Sequence, residues 1–95
     1  MSRQSIFITG AAAGIGQATA RLFAAKGWFV GLYDVDEAGV RALSRELGED
    51  VTSAGKLDVT DPDAWEHALA EFAARAGRLD VLLNNAGILA SGPLE

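Results

Sequence analysis

The stretch Thr9-Gly10-Ala11-Ala12-Ala13-Gly14-Ile15-Gly16 constrains this chain more than any other. The apolar run Ile6-Phe7-Ile8 leads into it, and a helix-patterned segment, Gln17 to Lys26, leads out. A strand that stops at glycine and restarts as a helix turns backbone N–H groups toward open space. The positive end of the helix dipole points the same way, so the turn is an anion site suited to a pyrophosphate. Each glycine has a separate task. Gly10 makes the turn, Gly14 lets a phosphate approach the backbone, and Gly16 lets the helix pack close to the strand. The spacing is G-x-x-x-G-x-G rather than the commoner G-x-G-x-x-G. A glycine turn between strand and helix is also compatible with plain architecture.

The rest of the chain repeats the strand–helix alternation. Strands are predicted over Ser5–Thr9, Trp28–Tyr33, Ser53–Leu57 and Leu79–Leu83. Helices are predicted over Gly14–Lys26 and Glu37–Leu47, with a third opened by Asp61-Pro62-Asp63 and closed at Gly77. The expected buried stripes are Ile15, Ala18, Leu22 and Ala25 on the first helix, and Val40, Leu43 and Leu47 on the second. On the third they are Trp65, Leu69, Phe72 and Ala76. Asp36 and Asp61 are the expected N-caps, and Gly27, Gly48 and Gly77 the expected stops. Strands joined through single helices are parallel with right-handed crossovers. The expected fold is therefore α/β, a Rossmann-like parallel sheet ordered 3-2-1-4 with helices on both faces. The first two helices should cover one face and the third helix the other.

Three strand ends carry candidate chemistry, and a parallel sheet places all of them on the edge that holds the glycine loop. Asp34 closes the second strand 18 residues after Gly16, close to the separation of about 20 at which a carboxylate bonds the adenosine ribose. It would repel a 2′-phosphate, and Val35, Asp36 and Glu37 supply no cation to receive one, which favours NAD over NADP. The alternative is a strand-end aspartate that caps the next helix. Asp58 closes the third strand and can accept from the adenine amino group, with Val59 against the ring. The alternative is a turn aspartate before a helix. Asn84-Asn85-Ala86-Gly87 closes the fourth strand with neutral amides and a small pair that leaves room for a ligand. The alternative is a polar strand end with a glycine turn.

In this order and spacing, the glycine loop, Asp34, Asp58-Val59 and Asn84-Asn85-Ala86-Gly87 resemble the N-terminal half of a short-chain dehydrogenase/reductase. The resemblance runs from Ser5 to Ile88. It implies that residues 1–95 are the N-terminal part of a single dinucleotide-binding Rossmann domain with NAD as cofactor. It assigns Gly10, Ala12, Ala13, Gly14, Ile15 and Gly16 to the pyrophosphate and adenosine side. It assigns Asp34 and Val35 to the ribose, Asp58 and Val59 to adenine, and Asn85, Ala86 and Gly87 to the nicotinamide half. Asn84 is assigned to bracing the sheet. The implied reaction moves a hydride between NAD(H) and a small carbonyl or alcohol substrate, in a parent enzyme that forms homo-oligomers. A catalytically inactive nucleotide-binding module is the alternative, and a methyltransferase with a similar glycine loop is a weaker one.

The family's catalytic Ser, its Tyr-x-x-x-Lys pair and a helical Asn have no counterparts here. The single tyrosine, Tyr33, lies mid-strand, and position 37 is Glu rather than Lys. Ser91 comes too early for the catalytic serine, so no residue receives a proton-transfer role. The chain reads as the front portion of a longer enzyme.

Composition removes other classes. Thirteen acidic and 8 basic side chains give a net charge of -5, and no Lys/Arg cluster supports a nucleic-acid partner. The absence of cysteine rules out disulfides and thiolate metal sites. With one histidine, His67, on the predicted polar side of the third helix, no metal site is expected. No run approaches the ~18 apolar residues of a membrane span, and no signal-peptide pattern precedes the first strand. A cytoplasmic protein is expected.

Overall fold

The computed structural model describes residues 3–85. Its elements alternate along the chain as β1 (Ser5–Thr9), α1 (Gly14–Ala25), β2 (Phe29–Asp34), α2 (Glu37–Leu47), β3 (Thr52–Lys56), α3 (Pro62–Ala76) and β4 (Val81–Asn84). The sheet is ordered β3-β2-β1-β4, with every pair parallel. This is the predicted Rossmann-like topology. The second and third strands begin and end within a residue of expectation, and the fourth starts two residues later, leaving Leu79 exposed before it.

Alternation along β1 sorts the core into two layers. Ile6 and Ile8 face α1 and α2, where they join Ala20, Val30, Leu32, Val40 and Leu43. Phe7 faces α3 and joins Phe29, Tyr33, Leu57, Ala68 and Phe72. Two helices therefore cover one face and one helix the other. The α3 layer is aromatic. Phe7 stacks on Tyr33 at 4.7 Å between centroids and meets Phe72 edge-on at 5.3 Å. Each such pair adds about 0.5–1.5 kcal/mol beyond burial. Gly31 makes room for them, since a Cβ there would lie 2.7 Å from the Phe72 ring.

The helix ends follow their sequence signals. The Asp36 carboxylate accepts from Gly39 N–H, and that of Asp61 accepts from the N–H groups of Asp63 and Ala64. Pro62 sits at the start of α3, where its missing N–H costs nothing. Gly77 closes α3 at φ 79°, in the left-handed region that glycine enters freely.

The expected face of α1 is overturned. Ile15 is 71% exposed and Leu22 is 53% exposed, and Ala18 and Ala25 are exposed with them. The face against the sheet is Gly16 and Ala20, flanked by Phe23 and Ala24. The cause lies at the glycine loop. A Cβ at Gly16 would overlap the Gly10 carbonyl oxygen and stand 2.8 Å from its carbon. That contact draws α1 onto β1, and only small side chains fit the gap that results. On α3, Ala68 joins Phe72 and Ala76 as a buried residue, while Trp65 and Leu69 are half-buried.

The start of β4 is tied to the start of β1. Ser5 N–H donates to Asp80 Oδ2 at 2.8 Å, Asp80 N–H returns a bond to Ser5 O at 3.1 Å, and Ser5 Oγ donates to Arg78 O.

Candidate functional site

Parallel register brings the strand ends to one rim. Thr9 pairs with Tyr33 on one side and Asn84 on the other, and Asp34 pairs with Lys56. Gly10, Asp34, Asp58 and Asn85 accordingly follow or close neighbouring strands at the same edge. The sheet changes direction at β1, because the chain goes to β2 on one side and later to β4 on the other. A crevice outside the strand ends at such a point is where open α/β sheets take ligands.

The glycine loop is held from behind by four hydrogen bonds. Ala11 N–H donates to Tyr33 O at 3.2 Å, and Ala12 N–H donates to Asp34 Oδ2 at 3.0 Å. Gln17 Nε2 donates to Ala12 O at 3.0 Å, and Asn85 Nδ2 reaches Gly10 O at 3.4 Å. Gly10 and Gly14 take φ of 69° and 58°. A Cβ at Gly14 would meet nothing within 4 Å, so the loop opens outward there.

The front of the loop is different. Ala13, the N-cap residue of α1, offers no side-chain hydrogen bond, and the first turn holds no acidic residue. In α2 and α3 an aspartate caps the end and an acidic residue occupies the first turn. Among the described helices only α1 leaves its positive end uncompensated. Its first N–H groups, at Gly14, Ile15 and Gly16, are the donors an anion would take.

Asp34 stands beside this end, half-buried, with a second backbone donor, Asp36 N–H, on Oδ1 at 3.0 Å. It is not the cap of α2, which is Asp36. A carboxylate has about four lone-pair positions, so two bonds leave capacity for two more donors. Val35 is exposed next to it. Asp58 accepts from Thr60 N–H at 2.9 Å and Thr60 Oγ1 at 2.6 Å, both on Oδ1. The turn-forming alternative is thus realised at that oxygen. These bonds, with Lys56 contributing less, hold its carboxyl below the usual range. Val59 is half-buried against the α3 layer, and its carbonyl accepts from Trp65 Nε1 at 2.8 Å. Asn84 Oδ1 accepts from Thr9 Oγ1 at 2.9 Å, a bond from β4 to β1. Ala86, Gly87 and Ser91 lie outside the described residues.

Tyr33 does not belong to the rim. It is 0% exposed in the α3 layer, where its hydroxyl bonds to Ser53 Oγ at 2.7 Å and Glu71 Oε1 at 3.0 Å. Burial pushes its pKa well above the ordinary tyrosine value. Two concave surfaces lie along the outer side of β3, one lined by Arg41, Ser44 and Arg75, the other by Tyr33, His67 and Glu71. Arg75 there is occupied by the carbonyls of Thr52 and Glu49, and Arg41 by Glu37. Arg45, Lys56 and His67 also line these grooves, as separate side chains rather than as a row of backbone N–H groups at a helix start. Sequence reasoning missed Gln17, whose signal was an amide in the first turn of α1, ahead of Thr19 and Arg21. No group of three or more candidate ligands for a metal occurs among the described residues, and none of their helices is long and apolar enough to cross a membrane.

A parallel sheet with its glycine loop at the switch point defines the dinucleotide-binding class of α/β proteins. Comparison with known proteins narrows the class: the family model for short chain dehydrogenases matches residues 4–95, and the chain belongs to that family. It is 41% identical over 87 residues to meso-2,3-butanediol dehydrogenase of Serratia marcescens, covering 92% of this chain and 35% of that one. It is 44% identical over 86 residues to momilactone A synthase of Oryza sativa subsp. japonica, covering 90% and 31%. The fold superposes on the crystal structure of 3-ketoacyl-(acyl-carrier-protein) reductase from Brucella melitensis complexed with NADH. That match has a TM-score of 0.80 and 30% identity, and covers 83% of this chain and 32% of the other. The chain spans about a third of the length of these two curated relatives.

Proposed function

We propose that this chain is the cofactor-holding part of an NAD-dependent oxidoreductase that moves a hydride between NAD(H) and a small carbonyl or alcohol substrate. Residues 1–95 would form the N-terminal part of one dinucleotide-binding domain. The observation that carries the reading is the uncompensated positive end of α1, set beside a carboxylate that retains capacity for two donors. A dinucleotide supplies both partners the site lacks: an anionic pyrophosphate for the N–H groups of residues 14–16 and ribose hydroxyl donors for Asp34. The outward-facing space at Gly14 fits a phosphate approaching the backbone.

Gly10, Ala12, Ala13, Gly14, Ile15 and Gly16 would hold the phosphates, Asp34 and Val35 the ribose, and Asp58 and Val59 the adenine. Asn85, Ala86 and Gly87 would face the nicotinamide half. Asp34 would favour NAD because its charge repels a 2′-phosphate. When bound, the nicotinamide ring supplies the hydride chemistry. The residues of this chain bind and orient it. Tyr33 takes no part in proton transfer, because it is buried with its hydroxyl bonded to Ser53 and Glu71. We place the protein in the cytoplasm and expect a longer parent to be a homo-oligomer.

Tyr33's burial also favours a second reading for the 95 residues by themselves, a nucleotide-binding module without turnover. Two measurements test both. Calorimetric titration with NAD should show saturable binding, and its absence would end both readings. A turnover assay with NAD and a panel of simple alcohols should give none for the 95 residues and measurable rates for a longer parent. Turnover absent from the parent as well would leave only the module.

A further inference from the structure

Asp34 is held by two segments at once, and the two segments are themselves joined. Ala12 N–H, from the glycine loop, donates to Oδ2 at 3.0 Å, and Asp36 N–H donates to Oδ1 at 3.0 Å. The side chain of Asp36 then accepts from Gly39 N–H at 3.0 Å, capping α2. Gly39 closes the circuit back to the loop. A Cβ on it would lie 2.5 Å from Asp36 Oδ2 and 3.2 Å from the Cβ of Ala12. The missing side chain is what lets the first turn of α2 lie against the loop with its cap intact.

We propose that Asp36 and Gly39 are positioning residues that set the preference for an unphosphorylated adenosine ribose, acting through Asp34. This rests on the cofactor reading above. Accepting two hydroxyls at once requires both oxygens of Asp34 to be presented in one plane, because hydrogen bonds weaken steeply with angle. Repelling a 2′-phosphate needs only the charge, whose effect changes little with orientation. Loosening the Asp36 tether therefore weakens NAD and leaves NADP as weak as before. Removing the carboxylate does something else, because it weakens NAD and also relieves the repulsion of NADP.

The test compares the parent with Gly39→Ala, titrating NAD and NADP and following amide exchange at Ala12 in the ligand-free protein. Alanine favours a helix more than glycine does, so the variant keeps its fold while its Cβ displaces the Asp36 carboxylate. NAD affinity should fall roughly 3- to 10-fold, the worth of one hydrogen bond, with NADP affinity unchanged. Exchange at Ala12 should quicken by about tenfold as its acceptor loosens. Asp36→Ala, which removes the cap without adding bulk, is the second variant and should show the same loss of NAD affinity. Asp36→Ser in the Gly39→Ala background restores a shorter cap and should recover most of it. In an Asp34→Ala background Gly39→Ala should change neither affinity further. A folded Gly39→Ala protein with parental NAD affinity overturns the proposal, as does an equal loss for both dinucleotides, whatever Ala12 does. A parent that binds neither dinucleotide removes the cofactor reading and this preference with it. A parent that binds NAD alongside variants that bind it equally well removes only the preference.

Discussion

Two glycines of one loop are glycine for opposite reasons. Gly16 has a neighbour where its side chain would be, the backbone of Gly10, and backbone cannot step aside as a flexible side chain can. Gly14 has open space there but a φ of 58°, which costs an L-residue about 1–2 kcal/mol. Gly16→Ala should therefore push α1 off β1 and destabilise by about 2–4 kcal/mol, beyond ordinary overpacking. Gly14→Ala should cost only that strain, about 1–2 kcal/mol. Thermal melts of the two variants check this, with about 4–8 °C expected per kcal/mol in a domain of this size. Equal shifts would contradict the account of Gly16. Asp34 carries the other residue-scale prediction. Asp34→Ala should weaken NAD about tenfold or more and bring NADP closer to it, since a charge-assisted bond contributes roughly 1.5–3 kcal/mol. Paired titrations of the two dinucleotides read this directly.

At the scale of elements, α1 behaves contrary to its hydrophobic pattern. Leu22→Ala should shift stability by no more than about 0.5 kcal/mol, because the side chain is largely in solvent. Ala20→Leu should cost about 1–3 kcal/mol, because Ala20 is packed between helix and sheet with no room for three more carbons. Urea denaturation of both variants decides which face is buried, and the reverse ranking would restore the face expected from the sequence. The lesson about legibility is in this helix. Capping aspartates, stop glycines and strand-helix alternation act locally, so Asp36, Asp61 and Gly77 could be read where they stand. The face of α1 could not, because apolar residues surround the helix and the choice is made by a contact with Gly10 in another element. The candidate site was legible for the same reason as the caps: Gly10, Gly14, Gly16 and Asp34 each lie at or within a few residues of an element's end. The ties behind it, from Gln17 to Ala12 and from Ala12 to Asp34, depend on how segments meet, and the first-turn amide of Gln17 was their one local trace.

Taken whole, the described sheet is well covered in the middle and bare at β4. Val81 is 38% exposed and Leu82 is 49% exposed, beside Leu79. An apolar strand presented this way invites association. Size-exclusion chromatography of the 95-residue protein should show concentration-dependent assembly, and Leu82→Lys should reduce it. A parental protein that stays monomeric at all concentrations would contradict this. The tie between β1 and β4 also makes stability depend on pH. Asp80 is bonded to Arg78 and to Ser5 N–H, and these bonds, the Arg78 pair first, lower its pKa. A carboxylate with a lowered folded-state pKa stabilises above its unfolded value of about 3.9 and loses that contribution as pH falls through the lower folded value. Asp58 contributes in the same direction. Asp80→Asn should flatten the loss of stability between about pH 5 and pH 2, followed by denaturant midpoints. An unchanged slope would contradict the role given to Asp80.

The central claim is that the rim of strand ends cups an adenine dinucleotide with its phosphates over α1. The most direct measurement is a titration of the folded protein with NAD, following every backbone amide by NMR. The account predicts saturable shifts centred on residues 10–16 and 34–36, with the Gly14, Ile15 and Gly16 amides moving most. No binding, or shifts centred on Arg41 and Arg75 along the outer side of β3, would contradict it.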